Sequence, residues 1–329
     1  MTPSIDLSKP GKQHGFLPLI HSDNRHAHAV IPIPITVICG GAGPTTLVTA
    51  GVHGDEFAGI LAARQLIADL SPASLVGRVI VMPMLNLPAC RAETRVSPLD
   101  GANLNRVFGV GAPAGPTAAI AEAVVAIILP EVDFVLDLHS GGTTARYLPS
   151  AFLYDQPGAS LAKKRAAARA FAMPFTLVVT PPPDAGSLLG AAERQGIPAI
   201  ACEVSGGATL DRHAVAATRA GMLRVLHHLG HCPAPQDGAA RGADTRFVRL
   251  AFGAAHAVVA PFSGGVLPLH DPGDIIAAGQ PAARLYPMED QSQTASVLTF
   301  PKTGLITSVT ARPNVRAGDL IFLTGTPEP

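Results

Sequence analysis

Short unbroken apolar runs alternate with longer Ala-rich stretches as far as about residue 230. Short runs bounded by turn residues predict buried strands, and the longer ones predict helices. Leu47–Ala50 is one such strand, ended by Gly51, and FAGILAARQLIADL after it predicts a helix to about Leu70. GRVIVMPM at 77–84, DFVLDLH at 133–139, FTLVVT at 175–180 and IPAIACEV at 197–204 predict further strands. Helices are expected at 116–130, ended by Pro130, at about Ser160–Ala172 and at 209–229. In AVIPIPITVIC, Pro32 and Pro34 at alternate positions suit an edge strand, and the polar residues 1–28 suit an exposed irregular arm or another edge strand. This alternation implies an α/β fold, a mixed sheet flanked by helices.

After Pro233–Asp244, a linker by composition, the helical period vanishes. Short strands with Gly, Pro and Asp turns predict a small all-β domain. The passages from Ser263 and from Thr303 resemble each other, each with a Gly-hydrophobic start and a later Gly-Asp, as in a barrel-sandwich of the biotinyl/lipoyl type. Neither half shows a carrier lysine at its turn, so a structural, lid or assembly role is expected. The division is 1–235 for the α/β domain, with 1–28 as an N-terminal arm, and 236–329 for the β domain.

Composition narrows the class. The chain has 329 residues, 47% hydrophobic and 5% aromatic, enough for one large domain and a small one with an aliphatic core. Lys plus Arg equals Asp plus Glu at 24 each, so neither a nucleic-acid nor a membrane-surface partner is expected. No apolar run approaches the roughly 20 residues of a membrane span, and MTPSIDLSKPGKQHG lacks the apolar core of a secretory signal. The four cysteines form no CxxC pair and read as buried thiols. A cytoplasmic location follows as the expectation.

Three strand ends carry the candidate chemistry. His53 and Glu56, three apart just past the first strand, can bind one metal together. A catalytic zinc needs about three protein ligands and a water. His139, at the end of DFVLDLH and before Ser-Gly-Gly, supplies the third. Asp137 shares its strand face and can hold that imidazole by its far nitrogen. Glu203 ends IPAIACEV; a carboxylate on an apolar strand is costly to bury without a task, which makes it the general-base candidate. The stretch NLPACRAETRVSPLDGANLNRVFG has no helical period and reads as a long functional loop. Arg91, Arg95, Asn105 and Arg106 lie in it, two or three of which could clamp a carboxylate. Asp184 is a candidate substrate contact or a helix N-cap. Lys163, Lys164, Arg165 and Arg169 read as a solvated helix face, and His227 and His231 as helix C-terminal residues.

His53-x-x-Glu56, NLNR at 103–106, DLH at 137–139 and Glu203 in CEVSGG, in this order, resemble the succinylglutamate desuccinylase/aspartoacylase family, a branch of the zinc carboxypeptidase fold. The resemblance covers about residues 30–230 and the family's small β domain. It implies one Zn2+ per subunit on His53, Glu56 and His139, and water activation by Glu203. It also implies an Arg95 that polarises the scissile carbonyl, and an Asn105–Arg106 pair that holds substrate polar groups. TRVSPLDGANLNRVFG and LDLHSGG are most similar to the family's N-acetyl-diaminobutyrate deacetylases of ectoine breakdown, and Asp184 falls in a similar stretch. The arginine by which aspartoacylase binds its substrate's side-chain carboxylate has no clear counterpart; Glu193 and Arg194 lie near its place. An acidic residue there suits a substrate bearing an amine.

The resemblance therefore implies hydrolysis of an N-acyl amino acid, above all N-acetyl-L-2,4-diaminobutyrate, by a homo-oligomer, dimer or tetramer. Deacylation of an acidic amino acid and carboxypeptidase action on short peptides share the same zinc residues. A metal-free scaffold that keeps the fold is the reading from another class, and the complete ligand set argues against it.

Overall fold

The computed structural model describes residues 1–24, 26–109, 111–156, 159–180, 186–234, 244–251 and 253–329. Strands β1 (Gly11–Asp23) and β2 (His26–Cys39) form a long antiparallel hairpin at one edge of the main sheet. Pro18 faces Pro32 across it. A facing pair without N–H groups must be a non-hydrogen-bonded pair, which turns Pro32 and Pro34 outward where β2 has no second neighbour.

Next come β3 (Thr45–Ala50), helix α1 (Phe57–Asp69), β4 (Arg78–Met82), α2 (Leu87–Ala92) and α3 (Pro116–Ala123). They are followed by β5 (Phe134–His139), β6 (Ala145–Tyr147), β7 (Ser150–Tyr154), α4 (Ala159–Phe171) and β8 (Phe175–Val179). Helix α5 (Leu188–Arg194), β9 (Ala199–Glu203) and α6 (Arg212–His228) complete this half. The strand order is β1-β2-β4-β3-β5-β9-β7-β8, with β4, β3, β5 and β9 mutually parallel. Both faces are covered: Leu47 and Val135 face one apolar cluster, Val48 and Leu136 the other. That is why these strands read as continuous apolar runs. Helix α1 lays Ile60, Leu66 and Ile67 on the sheet, each burial contributing about 1.5–3 kcal/mol.

Two expectations are corrected here. The supposed long loop contains α2, started by Asn86, whose side chain accepts from Ala89 N, with Pro88 in the first turn, and a 3₁₀ turn at Leu104–Arg106. The helix expected to run unbroken to Pro130 is α-helical only to Ala123. It widens to a π turn over Val124–Ile128, where Leu129 N reaches Val124 O, and ends in a 3₁₀ turn. Pro130 has no N–H to continue the ladder.

The C-terminal strands are β10 (Arg246–Leu250), β11 (Ala257–Val259), β12 (Gly264–Pro268), β13 (Ile275–Ile276) and β14 (Pro281–Tyr286). After them come β15 (Ser296–Thr299), β16 (Gly304–Thr310), β17 (Asn314–Val315) and β18 (Leu320–Pro327). Strands β15-β14-β12-β17 make a separate antiparallel sheet, and this half has its own apolar cluster around Phe300, Ile306 and Phe322. Yet β10 adds parallel to β8, and β18, β16 and β13 extend the main sheet beyond it. Strand β16 also pairs with β6. Among the described residues, no helix is long and apolar enough to cross a membrane.

Candidate active site

The parallel strands β3, β5 and β9 end side by side, and their carboxyl ends deliver the candidate ligands and base to one place. His53 and Glu56 sit on the turn after β3. Gly51, at φ +65°, breaks the strand, and a Cβ there would meet Cys90 Sγ at 2.7 Å. Gly54 packs so closely on α2 that a Cβ would lie 2.0 Å from the Ala89 carbonyl. The turn is thus pinned against the segment that carries Arg95. His139 ends β5, in register with Glu203 at the end of β9.

The three candidate ligands converge. His53 Nδ1 lies 2.7 Å from Glu56 Oε1 and His139 Nδ1 2.9 Å from Glu56 Oε2. Their ligand atoms all fall within 4.8 Å of one another, and all three residues are buried. Each imidazole is also held from behind. His139 Nε2 donates to Asp137 Oδ2 at 2.8 Å, and Asp137 Oδ1 accepts from Thr49 Oγ1 at 2.6 Å. His53 Nε2 donates to Asn103 Oδ1 at 3.1 Å. Asn103 was missed as a site residue, although it opens the NLNR motif; its role depends on the fold bringing it to His53.

The electrostatics match a cation site. Burial would raise the Glu56 carboxyl, but His53 and His139 outweigh it and hold the group well below the usual carboxylate range. Burial opposes charge on His139, yet Asp137 and Glu56 carry its pKa well above that of a free imidazole. Two imidazole nitrogens aimed at one carboxylate, each with its far nitrogen engaged, are the donor set and orientation that zinc takes.

Glu203 stands apart from this cluster. Its Oε2 is buried and has no hydrogen-bond partner among the described residues. Burial pushes its pKa up to about 8, against the pull of His139 and with the push of Glu56. It lines a cavity of about 1430 Å³ together with His53, Glu56, Arg95, Asn105, Arg106 and His139. Arg95 NH1 donates to Glu56 Oε1 at 3.3 Å from a partly exposed position. Asn105 Oδ1 accepts from Leu188 N at 3.0 Å, which ties the NLNR turn to α5.

Other expected residues lie elsewhere. Asp184 falls outside the described residues; Gly186 and Ser187, just after it, line the cavity. Glu193 is buried against Lys164, with Oε1 2.5 Å from Nζ, and does not line the cavity. Lys164 is therefore no part of a solvated face. Arg194 donates to Phe108 O. His231 is a buried core residue, bonded to Thr46 Oγ1 at 2.7 Å and to Val76 O at 3.0 Å.

Comparison with known proteins agrees with this geometry. Residues 42–229 match the succinylglutamate desuccinylase/aspartoacylase catalytic domain. An N-alpha-acetyl-L-2,4-diaminobutyric acid deacetylase from Halomonas elongata is 35% identical over 97% of this chain and 92% of its own. The product-bound structure of the ectoine utilization protein EutE (DoeB) from Ruegeria pomeroyi superposes with a TM-score of 0.93 at 32% identity, covering 99% of this chain and 98% of that one. A succinylglutamate desuccinylase/aspartoacylase from Rhodobacter sphaeroides gives 0.91 at 30% identity, with the same coverage. The family model spans more than half of the chain and the deacetylase almost all of it, and from this we conclude that the chain belongs to the succinylglutamate desuccinylase/aspartoacylase family of N-acyl-amino-acid hydrolases.

Proposed function

We propose that this chain is a zinc amidohydrolase that deacetylates N-acetyl-L-2,4-diaminobutyrate to acetate and the free diamino acid, with one zinc per subunit of a homo-oligomer. The observation that carries this reading is a buried three-donor cluster facing the same cavity as Glu203, whose enclosed Oε2 has no hydrogen-bond partner among the described residues. His53, Glu56 and His139 would hold the metal, and Asp137 and Asn103 would fix the two imidazoles. Zinc bound there would supply Lewis acidity toward the amide carbonyl and lower the pKa of water.

The chain's own groups do the rest. Glu203 takes a proton from the attacking water and returns it to the leaving amine nitrogen. Its Oε2 accepts no hydrogen bond from the described residues, which supports that role. Arg95 stabilises charge that develops on the carbonyl oxygen. Asn105 and Arg106 hold the substrate's polar groups at the cavity wall. The choice of a diamino acid rests on the name of the 35%-identical relative and on Asp184, whose carboxylate would bind the free amine.

The test is a comparison of kcat/KM for N-acetyl-L-2,4-diaminobutyrate, N-acetylaspartate and a dipeptide with purified protein. The diaminobutyrate derivative should be fastest. Asp184→Asn should narrow its lead by about tenfold or more, since a hydrogen bond to a charged group contributes about 1.5–3 kcal/mol. Faster turnover of N-acetylaspartate would make this an aspartoacylase, and of the dipeptide a carboxypeptidase.

A further inference from the structure

One further polar side chain lines the cavity that holds the base and the arginine. Tyr147 belongs to β6, a strand of three residues. Tyr147 lines the cavity with His53, Glu56, Arg95, Arg106 and Glu203. Burial acts most on that phenol, and the charged groups that act on it are Glu203, Arg95, Glu56 and Arg106.

Its place is fixed by both halves of the molecule. Tyr147 N donates to Ser205 O at 3.2 Å, two residues beyond Glu203. Gly207 N donates to Ala145 O at 2.9 Å, which completes an antiparallel bridge between Arg146 and Gly206, and Ala145 N donates to Gly141 O at 3.0 Å. The ladder of β6 is with β16: Tyr147 faces Ser308, Arg146 faces Val309 and Ala145 faces Thr310. Leu148 N donates to Thr307 O at 2.9 Å, and Arg146 pairs with Asp271. Bonds from the α/β half and the ladder to β16 therefore together hold the tyrosine's strand at the cavity wall.

We infer that Tyr147 is a catalytic residue that donates a hydrogen bond from its hydroxyl to the amide carbonyl oxygen as that oxygen gains negative charge, beside Arg95. The inference rests on the amidohydrolase reading. A phenol is a donor in its neutral form, and burial followed by the nearby Glu203 keeps this one protonated. It cannot compete with Glu203 as base, and no proton leaves it during the reaction. A neutral donor also adds no charge to a site already holding several. A fixed donor aimed at an oxyanion acts on the transition state rather than on substrate binding.

The experiment is Tyr147→Phe in the full-length, metal-loaded enzyme, with metal content and thermal unfolding checked against the parent. We expect unchanged metal and folding, a kcat lower by about 10²-fold and a KM within about twofold. A phosphonate analogue of the tetrahedral state should lose affinity in step with kcat/KM, while the product amino acid binds as before. A kcat equal to the parent's would overturn the inference. So would a raised KM at constant kcat, which would make the hydroxyl a ground-state contact. If the variant is unstable, Tyr147→Trp and Tyr147→Leu replace it, and only a common loss of analogue affinity with product affinity retained supports the role. A parent enzyme without hydrolytic activity on any N-acyl amino acid would instead refute the function itself.

Discussion

Glu56, which is buried, and Glu203, which is half-buried with an enclosed Oε2, line the same cavity, and their surroundings push them in opposite directions. Glu56 accepts from two imidazoles and from Ser140 N, which favours the anion. Glu203 has an Oε2 with no hydrogen-bond partner among the described residues, and burial raises its pKa to about 8. Such a split separates a ligand from a base. Glu203→Gln should therefore keep full metal content and lose rate by about 10²–10⁴-fold, with KM little changed. His53→Ala or His139→Ala should lose metal and activity together. Metal analysis beside steady-state kinetics distinguishes the two patterns. A metal-free Glu203→Gln protein would make Glu203 a ligand, and full occupancy in either histidine variant would remove that histidine from the site.

At the scale of elements, the cavity wall depends on a contact that no local pattern announces. Lys164 on α4 reaches Glu193 on α5 and the Tyr154 carbonyl at the end of β7. Tyr154 OH in turn bonds Ser187, the residue that caps α5, and Leu188 N holds Asn105. The ion pair is nearly enclosed, with the Lys164 side chain at 0% and that of Glu193 at 4% exposure. Removing one partner leaves an uncompensated buried charge. Lys164→Met should cost about 3–5 kcal/mol of stability in denaturant unfolding, and adding Glu193→Leu should recover most of it. Equal loss in the single and double variants would show that the pair is held by packing alone.

At the scale of the whole molecule, the C-terminal half is joined to the α/β half through shared ladders, β10 on β8 and β16 on β6. All three candidate metal ligands precede it in the chain. A protein ending at about residue 240 should keep them but leave β8 with an open edge and β6 without its ladder. Exposed strand edges of this kind pair with other chains. We expect aggregation, visible in size-exclusion chromatography. A soluble truncated protein of unchanged activity would refute a packing role for that half.

Sequence alone determined what depends on neighbours along the chain. The apolar runs of β3, β5 and β9 are legible because strands covered on both faces must be apolar throughout. The polar residues that end them, His53, Glu56, His139 and Glu203, stand out against those runs for the same reason. Asp137 is legible beside His139 because alternate strand residues share a face. Only the tertiary structure decided the pairings between distant residues. It brought Asn103 to His53, buried Lys164 on Glu193, sank His231 against Thr46 and paired the strand of Tyr147 with β16 from the far end of the chain. A side chain's partner across the fold costs nothing in local periodicity, so a buried lysine and a solvated one look alike in a helix. The sequence carries the period that sets each element, whereas the contacts that complete the site depend on how those elements meet.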